Sequence, residues 1–390
     1  MKNIIYVCDG DVSVYESQVL SLLRYLNSLQ DTHVILVQGY RSVDERHILE
    51  KKLSNGDDMD VVWVRSYPMY RIFSHFTVSN YYRAIKSIGI DDNTVLHVRS
   101  EYTGYLIFKV RNKLNIKFPL LIDIRGIVKE ELEYKRNKIK GVRRFLCTLQ
   151  KRFCDYYYET LFNSNADNIL ITSVSPIISN YLFSHYPLSP SLLFVNPNIV
   201  GSQFVFSKEK RRVVRNKYGI NDNQILAICS TGGAGVWQQD FKVIPELIKA
   251  GLKVINLSKK DWGIKECITT TVPFTDMPDM LSAADVAVLW RDDTFMNNSA
   301  SPSKFSEFAT MGLFVIHNGS VSIANDYIRE TGAGTIVQKV EDVKDVDFSL
   351  ICEEKRLEWI SAGRKRFGIE NIGTSYTKMY NKLLNNKTKA

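Results

Sequence analysis

The most chemically informative stretch of the sequence runs from Ser301 to Gly312. Ser301 suits a helix N-cap, Pro302 suits the first helical position and Gly312 suits the position after the helix, so one short helix is predicted. Lys304 falls in the first turn, where the helix dipole disfavours a cation by roughly a few tenths of a kcal/mol. A lysine is favourable there when an anion binds, because the helix amides and the ammonium attract the same negative charge.

Glu307 extends this pattern by one helical turn. It lies three positions after Lys304 and therefore near it on one helix face. A carboxylate one turn from a phosphate site can accept hydrogen bonds from both hydroxyls of a ribose. Phosphate at Lys304 and at the helix start, Ser303, with ribose at Glu307, together describe a nucleotide. The alternative is a plain surface Lys–Glu pair, and the residues alone leave both open.

Two other segments of the same half carry groups that suit a diphosphate. Arg291 ends the apolar run DVAVLW, where a cation could face the same site. The run STGGAG follows the run ILAIC, and Gly232 and Gly233 there would let a backbone approach a ligand closely and supply amide donors. The run matches neither the dinucleotide fingerprint nor the Walker loop, so a generic strand-to-helix turn is the alternative.

The sequence predicts no metal site and no cofactor. Asp9 and Asp11 have the DxD spacing of metal-dependent transferases, but they directly follow the first apolar strand and we discount them. The six cysteines lie far apart without a CxxC pair, so they fit reduced structural thiols better than disulfides or a zinc site.

Short apolar strands alternate with helical patterns in two series along the chain. This alternation predicts an α/β fold of two doubly wound, Rossmann-like domains, each with a parallel sheet covered on both faces. A turn-rich break near residues 196–206 places the domains at 1–200 and 201–372. Residues 373–390 are expected to form a helix, running from about Ser375 to Leu384 after an Asn-Ile-Gly break, that packs back toward the first domain. Ligands are expected beyond the carboxyl ends of the strands, in the cleft between the domains.

Charge is concentrated in one segment of a chain whose net charge is +9. Residues 109–152 hold fourteen Lys and Arg against four Asp and Glu, and residues 135–152 hold eight basic residues and no acid. Apolar residues recur there at three- and four-residue steps, so residues 135–153 are predicted to form a basic amphipathic helix. The helix could dock on its own core, or contact an anionic membrane surface or a lipid-phosphate substrate. No nucleic-acid partner is expected, because the segment has no RNA-binding or helix-turn-helix signature.

Composition and segment lengths exclude several protein classes. Hydrophobic residues make up 45% and charged residues 24%, which is globular usage rather than that of a disordered or fibrous chain. No apolar run reaches the about 18 residues that a membrane-spanning helix needs. The N-terminus turns acidic after a few apolar residues, too early for a signal-peptide core. We therefore expect a cytoplasmic protein, with peripheral association at the inner face of the plasma membrane as an option.

The run SASPSKFSEFATMGLFVIHNG resembles the signature segment of family 4 retaining glycosyltransferases with the GT-B fold. The preceding MPDMLSAADVAVLW, the interdomain VNPNIV and the N-terminal YESQVLSLLRYL and LLIDIRGIVKEE are also similar to family segments. The resemblance covers about Ile4 to Gly334 and implies transfer of a sugar from a nucleotide-sugar donor to an acceptor. Lys304, Arg291 and the helix start at Ser303 could stabilise the departing diphosphate without a metal. It places the donor on the C-terminal domain and the acceptor mainly on the N-terminal domain. Together with the basic amphipathic segment, the resemblance leads us to expect a glycan acceptor, lipid-linked or not, in surface polysaccharide or glycolipid synthesis.

Carried over position by position, the resemblance assigns roles on the donor side. Glu307 looks like the glutamate that holds the donor ribose, and Lys304 and Arg291 are the cationic candidates for the diphosphate. Gly232 and Gly233 resemble the small residues of the diphosphate loop. The remaining donor-binding candidates are the two serines at the helix start, Ser301 and Ser303.

On the acceptor side, Asp123 and Arg125 align with a segment that carries an active-site histidine in many relatives. Arg125 stands near that histidine's place, so it joins Lys304, Glu307 and Arg291 as a catalytic candidate. Three residues near the start of the first helix are further acceptor-binding candidates: Tyr15, Glu16 and Gln18. Alternatively, they only form the beginning of that helix.

The sequence also departs from the family pattern. Many relatives carry a second glutamate eight positions before the first, where Ser299 stands here. An Arg and Lys pair just beyond the glycine run is replaced by Trp237 and Gln238. Two alternatives therefore stay open beside the transferase: a nucleotide-sugar epimerase of the same fold, and a non-catalytic partner subunit that keeps the fold.

Overall fold

The computed structural model describes residues 1–10, 12, 14–53, 59–164, 167–230 and 238–387. The chain divides into two compact units. Unit 1 comprises Met1–Pro197 and Ile372–Ala390, and unit 2 comprises Asn198–Asn371.

Unit 1 is built on a parallel sheet in the order β3-β2-β1-β4-β5-β6-β7. The strands in the middle of the sheet are buried on both faces, which explains their nearly continuous apolar sequences. Within the described residues the strands are β1 Lys2–Asp9, β2 Thr32–Tyr40, β3 Asp60–Arg65, β4 Thr94–Arg99, β5 Leu120–Ile124, β6 Ile169–Ser173 and β7 Leu193–Val195.

Helices connect these strands and cover the sheet. Local signals set several of their ends; for example, Ser175 caps the helix that begins at Pro176 by accepting a hydrogen bond from the Ile178 amide. A π-helical turn, Tyr15–Leu20, leads into the first α-helix. The helices in this part of the described chain are α1 Ser21–Asn27, α2 Val43–Leu53, α3 Arg71–Ile88, α4 Glu101–Leu114, α5 Val128–Lys138, α6 Gly141–Phe162 and α7 Pro176–His185.

The basic segment does not form one helix. The sequence predicted a continuous helix over 135–153, but α5 ends at Lys138 and α6 begins at Gly141. Gly141 has a φ of +60°, a left-handed conformation that glycine adopts without steric cost and that a continuous helix cannot contain. The apolar stripe that was predicted for the segment therefore belongs to α6 alone.

Unit 2 repeats the architecture with a parallel sheet in the order β10-β9-β8-β11-β12-β13. Its described strands are β8 Leu226–Cys229, β9 Lys253–Leu257, β10 Cys267–Thr270, β11 Val286–Leu289, β12 Phe314–His317 and β13 Gly334–Ile336. Its described helices are α8 Lys208–Lys217, α9 Ile244–Lys249, α10 Met277–Ala283, α11 Phe295–Ser299, α12 Ser303–Thr310, α13 Ser322–Thr331 and α14 Glu353–Phe367.

The start of α12 differs from the sequence prediction. Ser301 is not the N-cap: the cap position is Pro302, which has no capping side chain, and the helix begins at Ser303. The Ser301 hydroxyl instead accepts a hydrogen bond from the Asn198 amide at 2.9 Å, a partner 103 positions away that local reasoning could not supply. The helix ends as predicted before Gly312, which has a φ of +66°.

The last helix, α15, spans Ile369–Lys387 and passes from unit 2 into unit 1 at Ile372. The sequence predicted a break at Asn-Ile-Gly, but the helix runs through these residues. Gly373 is needed there because a Cβ atom at this position would lie 2.2 Å from the ring of Tyr25 on α1. The glycine that looked like a helix breaker therefore permits close helix packing.

Candidate functional site

In unit 2, the strand order reverses direction between β8 and β11, so the chain leaves these two neighbouring strands on opposite faces of the sheet. In doubly wound sheets, ligands bind beyond the carboxyl ends of the strands at such a point. Ser230 directly follows β8, and Arg291 follows β11 after Trp290. Gly232 and Gly233, the predicted diphosphate loop, lie outside the described residues.

Lys304, in the first turn of α12, reaches this edge of the sheet. Its ammonium donates a hydrogen bond to the Ser230 carbonyl at the end of β8. Burial lowers the pKa of Lys304, while the negative charges of Asp240 and Glu307 partly oppose that shift. The lysine therefore lies among charged groups rather than on an open helix surface.

Glu307 is 6% exposed, on the buried side of α12. Burial raises its pKa to about 7, and the charge of Lys304 opposes the shift. Among the described residues no donor lies within hydrogen-bond distance of its carboxylate, and no ion pair within 4 Å joins it to Lys304. The plain surface Lys–Glu pair that the sequence left open is therefore wrong.

Asp240 is a member of this cluster that sequence reasoning missed. Its carboxylate is buried and accepts a hydrogen bond from the Trp290 amide at 2.7 Å, just beyond the end of β11. Burial raises its pKa to about 6, and Lys304 and Arg291 oppose the shift. The sequence does show an acidic residue shortly after the glycine run that follows β8. However, the surrounding WQQDFK has no residue spacing that would mark this aspartate as part of a site.

Arg291 completes the cluster, and its backbone is fixed by Asn318. The Asn318 side chain accepts from the Arg291 amide at 3.3 Å and donates to the Arg291 carbonyl at 2.6 Å. The guanidinium donates from Nη1 to the Asn297 side chain at 3.4 Å, while its buried Nε finds no acceptor in the described part of the chain. Burial lowers the pKa of Arg291, and Asp240 opposes that shift.

The serines near the cluster have different roles. The Ser301 hydroxyl is used by Asn198, as described above, and the residue is 4% exposed. Ser303 begins α12, so its amide belongs to the first turn, where amides have no acceptor within the helix. Ser299, at the end of α11, donates its hydroxyl proton to the Met296 carbonyl at 3.3 Å.

His317 lies beneath the cluster at the end of β12 and is fully buried. Nδ1 is 2.7 Å from the Leu289 carbonyl and therefore carries the proton, and Nε2 accepts from the Val321 amide at 3.1 Å. Burial lowers the pKa of His317 to about 4, so the ring is neutral and serves to join β11 to the start of α13.

In unit 1, the same sheet edge carries a network centred on Asp123, which is 1% exposed at the end of β5. The carboxylate accepts from Arg125 Nη1 at 3.2 Å and from the Tyr376 hydroxyl at 3.2 Å, and His97 Nε2 lies 3.6 Å away. Burial alone would raise the pKa of Asp123, but the Arg125 guanidinium and His97 hold it well below its usual range.

The network continues to both sides of Asp123. Arg125 Nη2 donates to the Gln18 side chain at 2.7 Å, and the Tyr380 hydroxyl lies 2.7 Å from His97 Nδ1. His97 is fully buried, burial lowers its pKa, and its two ring nitrogens face Tyr380 and Asp123. Tyr380 belongs, like Tyr376, to α15, whose contribution to this edge was not visible in the sequence.

Of the acceptor candidates, the structure thus brings Gln18, Asp123 and Arg125 together. Tyr15 is fully buried in the core of unit 1. Glu16 lies on the first turn with its carboxylate 3.5 Å from the Lys52 ammonium.

The described residues contain no group of three His, Cys, Asp or Glu side chains that could hold a metal ion, and Asp11 of the DxD run lies outside them. No helix among the described elements is both long enough and apolar enough to cross a bilayer.

Neither the comparison with protein-family models nor that with curated proteins finds a match. Solved structures do match over nearly the whole chain. A glycosyltransferase from Rickettsia africae is similar with a TM-score of 0.69 at 14% identity, covering 98% of both chains. Anabaena HepE in complex with UDP and glucose is similar with a TM-score of 0.67 at 11% identity, covering 98% of this chain and 100% of the other.

A third similar structure is WaaG, a glycosyltransferase involved in lipopolysaccharide biosynthesis. Its TM-score is 0.61 at 14% identity, and the match covers 93% of this chain and 94% of WaaG. These likenesses, together with two parallel sheets in separate units, show that the chain has the GT-B fold that the sequence predicted.

Proposed function

We propose that this protein is a glycosyltransferase that moves a sugar from a nucleotide-sugar donor, bound on unit 2, to a glycan acceptor. The proposal is carried by the buried cluster of Asp240, Arg291, Lys304 and Glu307 at the β8–β11 edge. Two cations and two carboxylates are held there with few internal hydrogen bonds. Burying charges without full pairing is costly, so a ligand that pairs with them accounts for their retention.

A nucleoside diphosphate fits this cluster chemically. Lys304 and Arg291 supply positive charge for the two phosphates, and the first amides of α12 supply hydrogen-bond donors. Glu307, which accepts no hydrogen bond within the described residues, can accept from the ribose hydroxyls. HepE, a structural neighbour, was solved with UDP and with UDP-glucose, which supports testing uridine nucleotides first.

The same groups would promote transfer. Breaking the bond between the sugar and the diphosphate increases negative charge on the departing phosphate. Lys304, Arg291 and the α12 amides would stabilise that charge in a buried, preorganised setting, where such stabilisation is worth most. Because these groups would stabilise the departing diphosphate, we propose that the transfer needs no metal ion. Transfer of a hexosyl group with retention is proposed from the resemblance to family 4 enzymes.

We further propose that the acceptor, bound mainly on unit 1, is a lipid-linked glycan in surface polysaccharide or glycolipid synthesis. The support is twofold: the basic segment of unit 1, which suits phosphate-bearing lipids, and the fold shared with WaaG. Arg125 stays a proposed contact at this end, although much of its hydrogen bonding goes to Asp123 and Gln18.

The first experiment is a thermal-shift panel of nucleoside diphosphates and nucleotide sugars. A ligand at 100 times its dissociation constant stabilises the protein by about 2.7 kcal/mol, an easily measured shift. We expect a response to one base that is lost in Lys304→Ala and Glu307→Ala. The matched control, Lys365→Ala, removes an exposed lysine of α14 in the same unit and should respond like the wild type.

The products then separate the alternatives. Sugar transferred to an added acceptor supports the proposal. Isomerised donor that appears without acceptor would replace it with an epimerase. No response to any nucleotide in the panel, in protein that is folded, would favour the non-catalytic partner.

A further inference from the structure

Exposed apolar side chains are concentrated on two helices of unit 1. On α6, Val142 is 73% exposed and Phe145 is 62% exposed, and Leu146 and Leu149 are also exposed. Each of these would be expected to pack inward if α6 served only the core. The inward side of α6 is instead formed by other residues, among them Cys147, Phe153 and Tyr157.

The first two turns of α3 carry a second exposed apolar group that the sequence analysis did not single out. Ile72 is 70% exposed, Phe76 is 58% exposed and Phe73 is 38% exposed. The two groups adjoin, because Ile72 and Phe73 line the same groove of about 460 Å³ as Leu146 and Leu149. We call the seven side chains on the two helices the apolar surface. Contiguous exposed apolar surface of this kind marks an interaction site.

Positive charge surrounds the apolar surface. Arg71 and Arg152 line the groove itself, and the Arg71 guanidinium lies 4.5 Å from the centre of the Tyr156 ring. Arg143 and Arg144 lie on the exposed first turn of α6. Within the part of the chain that the structure describes, none of these four arginines has a carboxylate within 4 Å. In contrast, Lys151 is paired with Glu133 at 3.1 Å.

We propose that the apolar surface docks on an anionic lipid bilayer, with its side chains in the interfacial region and the four arginines on lipid phosphates. Apolar side chains surrounded by unpaired arginines complement such a surface, because apolar area and anionic headgroups both contribute to binding. Arginine also suits phosphate, which its planar donors can contact in pairs. The inference deepens the proposed function and rests on it in one respect only: the lipid-linked acceptor would lie in this bilayer.

The test is co-sedimentation of the full chain with vesicles of phosphatidylcholine alone or with about 30% phosphatidylglycerol. We expect binding to the anionic vesicles that is at least about tenfold tighter than to the neutral ones and that weakens with salt. Phe145→Ser/Leu149→Ser and Ile72→Ser/Phe73→Ser should each reduce the affinity about tenfold or more. Arg143→Glu/Arg144→Glu should remove the preference for anionic vesicles.

Matched controls lie in unit 2. Val213 and Leu357 are 55% and 52% exposed, so Val213→Ser/Leu357→Ser removes comparable exposed apolar area elsewhere. Arg212→Glu/Lys365→Glu reverses two exposed charges in the same way. Both controls should bind vesicles like the wild type.

A depth measurement makes the proposal stricter. Phe145→Trp should show fluorescence quenched by brominated acyl chains, whereas Val213→Trp should not. The proposal is overturned if the protein ignores vesicles or binds neutral and anionic ones alike. It is also overturned if the α3 pair has no effect, or if the same variants abolish self-association instead. Nucleotide binding, measured without vesicles, should be unchanged in every variant, so failure of docking and failure of the proposed function are distinguishable.

Discussion

The two units carry ionisable groups at equivalent edges of similar sheets, but these groups differ in how well other protein groups pair with them. In unit 1, the pKa of Asp123 is held well below its usual range because Arg125 and His97 favour the ionised carboxylate, which also accepts a hydrogen bond from the Tyr376 hydroxyl. In unit 2, Glu307 and Asp240 have raised pKa values of about 7 and about 6, because burial is not offset by comparable partners.

The difference indicates which edge is built for a ligand. A buried charge that is paired within the protein destabilises the fold when its partner is removed, and it has little left to offer a substrate. A charged group that is buried with few partners costs stability and can recover that cost when a complementary ligand arrives. On this argument we propose that the unit 2 cluster binds the donor and that the unit 1 network mainly serves stability.

The substitution with the largest expected effect is Lys304→Met, which tests whether the unit 2 cluster is built for a ligand. We expect kcat/KM for transfer to fall at least about 100-fold, because a cation next to the departing diphosphate is lost. The free energy of unfolding without donor should change by less than about 1 kcal/mol, because the loss of the hydrogen bond to the Ser230 carbonyl is offset by no longer burying the ammonium. Steady-state kinetics and urea unfolding measure the two effects. A large loss of stability with normal kinetics would make the cluster structural.

The opposite pattern is expected for Asp123→Asn in unit 1. At pH 7 the free energy of unfolding should fall by about 3 kcal/mol, because the Arg125 charge is left buried without its counter-ion. The folded-state pKa of Asp123 is depressed, so its stabilisation is fully present above the unfolded value of about 3.9 and decreases progressively as pH falls from there toward the folded-state pKa. Urea titrations should therefore show a smaller gap between variant and wild type at pH 3.5.

Nucleotide affinity gives the control for that variant. Asp123→Asn should bind the nucleotide identified in the thermal-shift panel within about twofold of the wild type, since every described residue proposed to contact the nucleotide belongs to unit 2. A much larger loss of nucleotide affinity would contradict the division between the two edges.

Glu307→Gln separates stability from binding within the cluster. The folded-state pKa of Glu307 is raised, so ionising this carboxyl destabilises the fold. The free energy of unfolding therefore decreases as pH rises from the unfolded pKa of about 4.3 to the folded pKa of about 7. Without donor, the variant should therefore be more stable than the wild type by about 2 kcal/mol at pH 8, and the gain should vanish near pH 4. Nucleotide affinity should fall about tenfold through weaker bonds to the ribose.

A 2′-deoxynucleotide tests the ribose assignment directly. The wild type should prefer the ribonucleotide about tenfold, and Glu307→Gln should lose most of that preference. An equal preference in both proteins would place the ribose elsewhere.

The smallest expected effect is that of Tyr376→Phe, which removes the hydroxyl that donates to Asp123 and accepts from Arg125 Nη1 at 3.4 Å. The free energy of unfolding should fall by about 1 kcal/mol with donor kinetics unchanged. Tyr380→Phe, which removes the contact with His97, is the matched comparison on the same helix. Additive losses in the double variant would mean that the two tyrosines act separately, whereas a smaller combined loss would confirm one coupled network.

Local patterns in the sequence were enough to predict the α/β fold with two parallel sheets, because the alternation of apolar strands and helices is a short-range signal. They were also enough to select Lys304 and Glu307, whose spacing is set by one helix. Gly141 and Gly373 show the limit of such reasoning. Gly141 interrupts a segment that was predicted to be one helix. Gly373 lies inside a helix, and only its close packing against Tyr25 explains why a glycine is there.

The site residues that were missed depend on contacts between distant positions. Asp240 becomes part of the cluster through the Trp290 amide, 50 positions later. The Tyr376 hydroxyl donates to Asp123, 253 positions earlier. The Ser301 hydroxyl, which was predicted to cap α12, instead accepts a hydrogen bond from the amide of Asn198, 103 positions earlier. No periodicity or local motif encodes such pairs, because they arise only when the sheets have formed.

The late contribution of α15 also has a consequence for biosynthesis. The hydroxyls of Tyr376 and Tyr380 reach Asp123 and His97, yet these tyrosines are translated after the whole of unit 2. At about 5–20 residues per second, the ribosome needs roughly 10–35 s between the end of the first segment of unit 1 and Tyr376. During that interval the nascent sheet of unit 1 lacks the helix that covers its buried histidine and aspartate. Chaperone contact with the emerging chain should therefore persist until α15 has emerged and packed on unit 1.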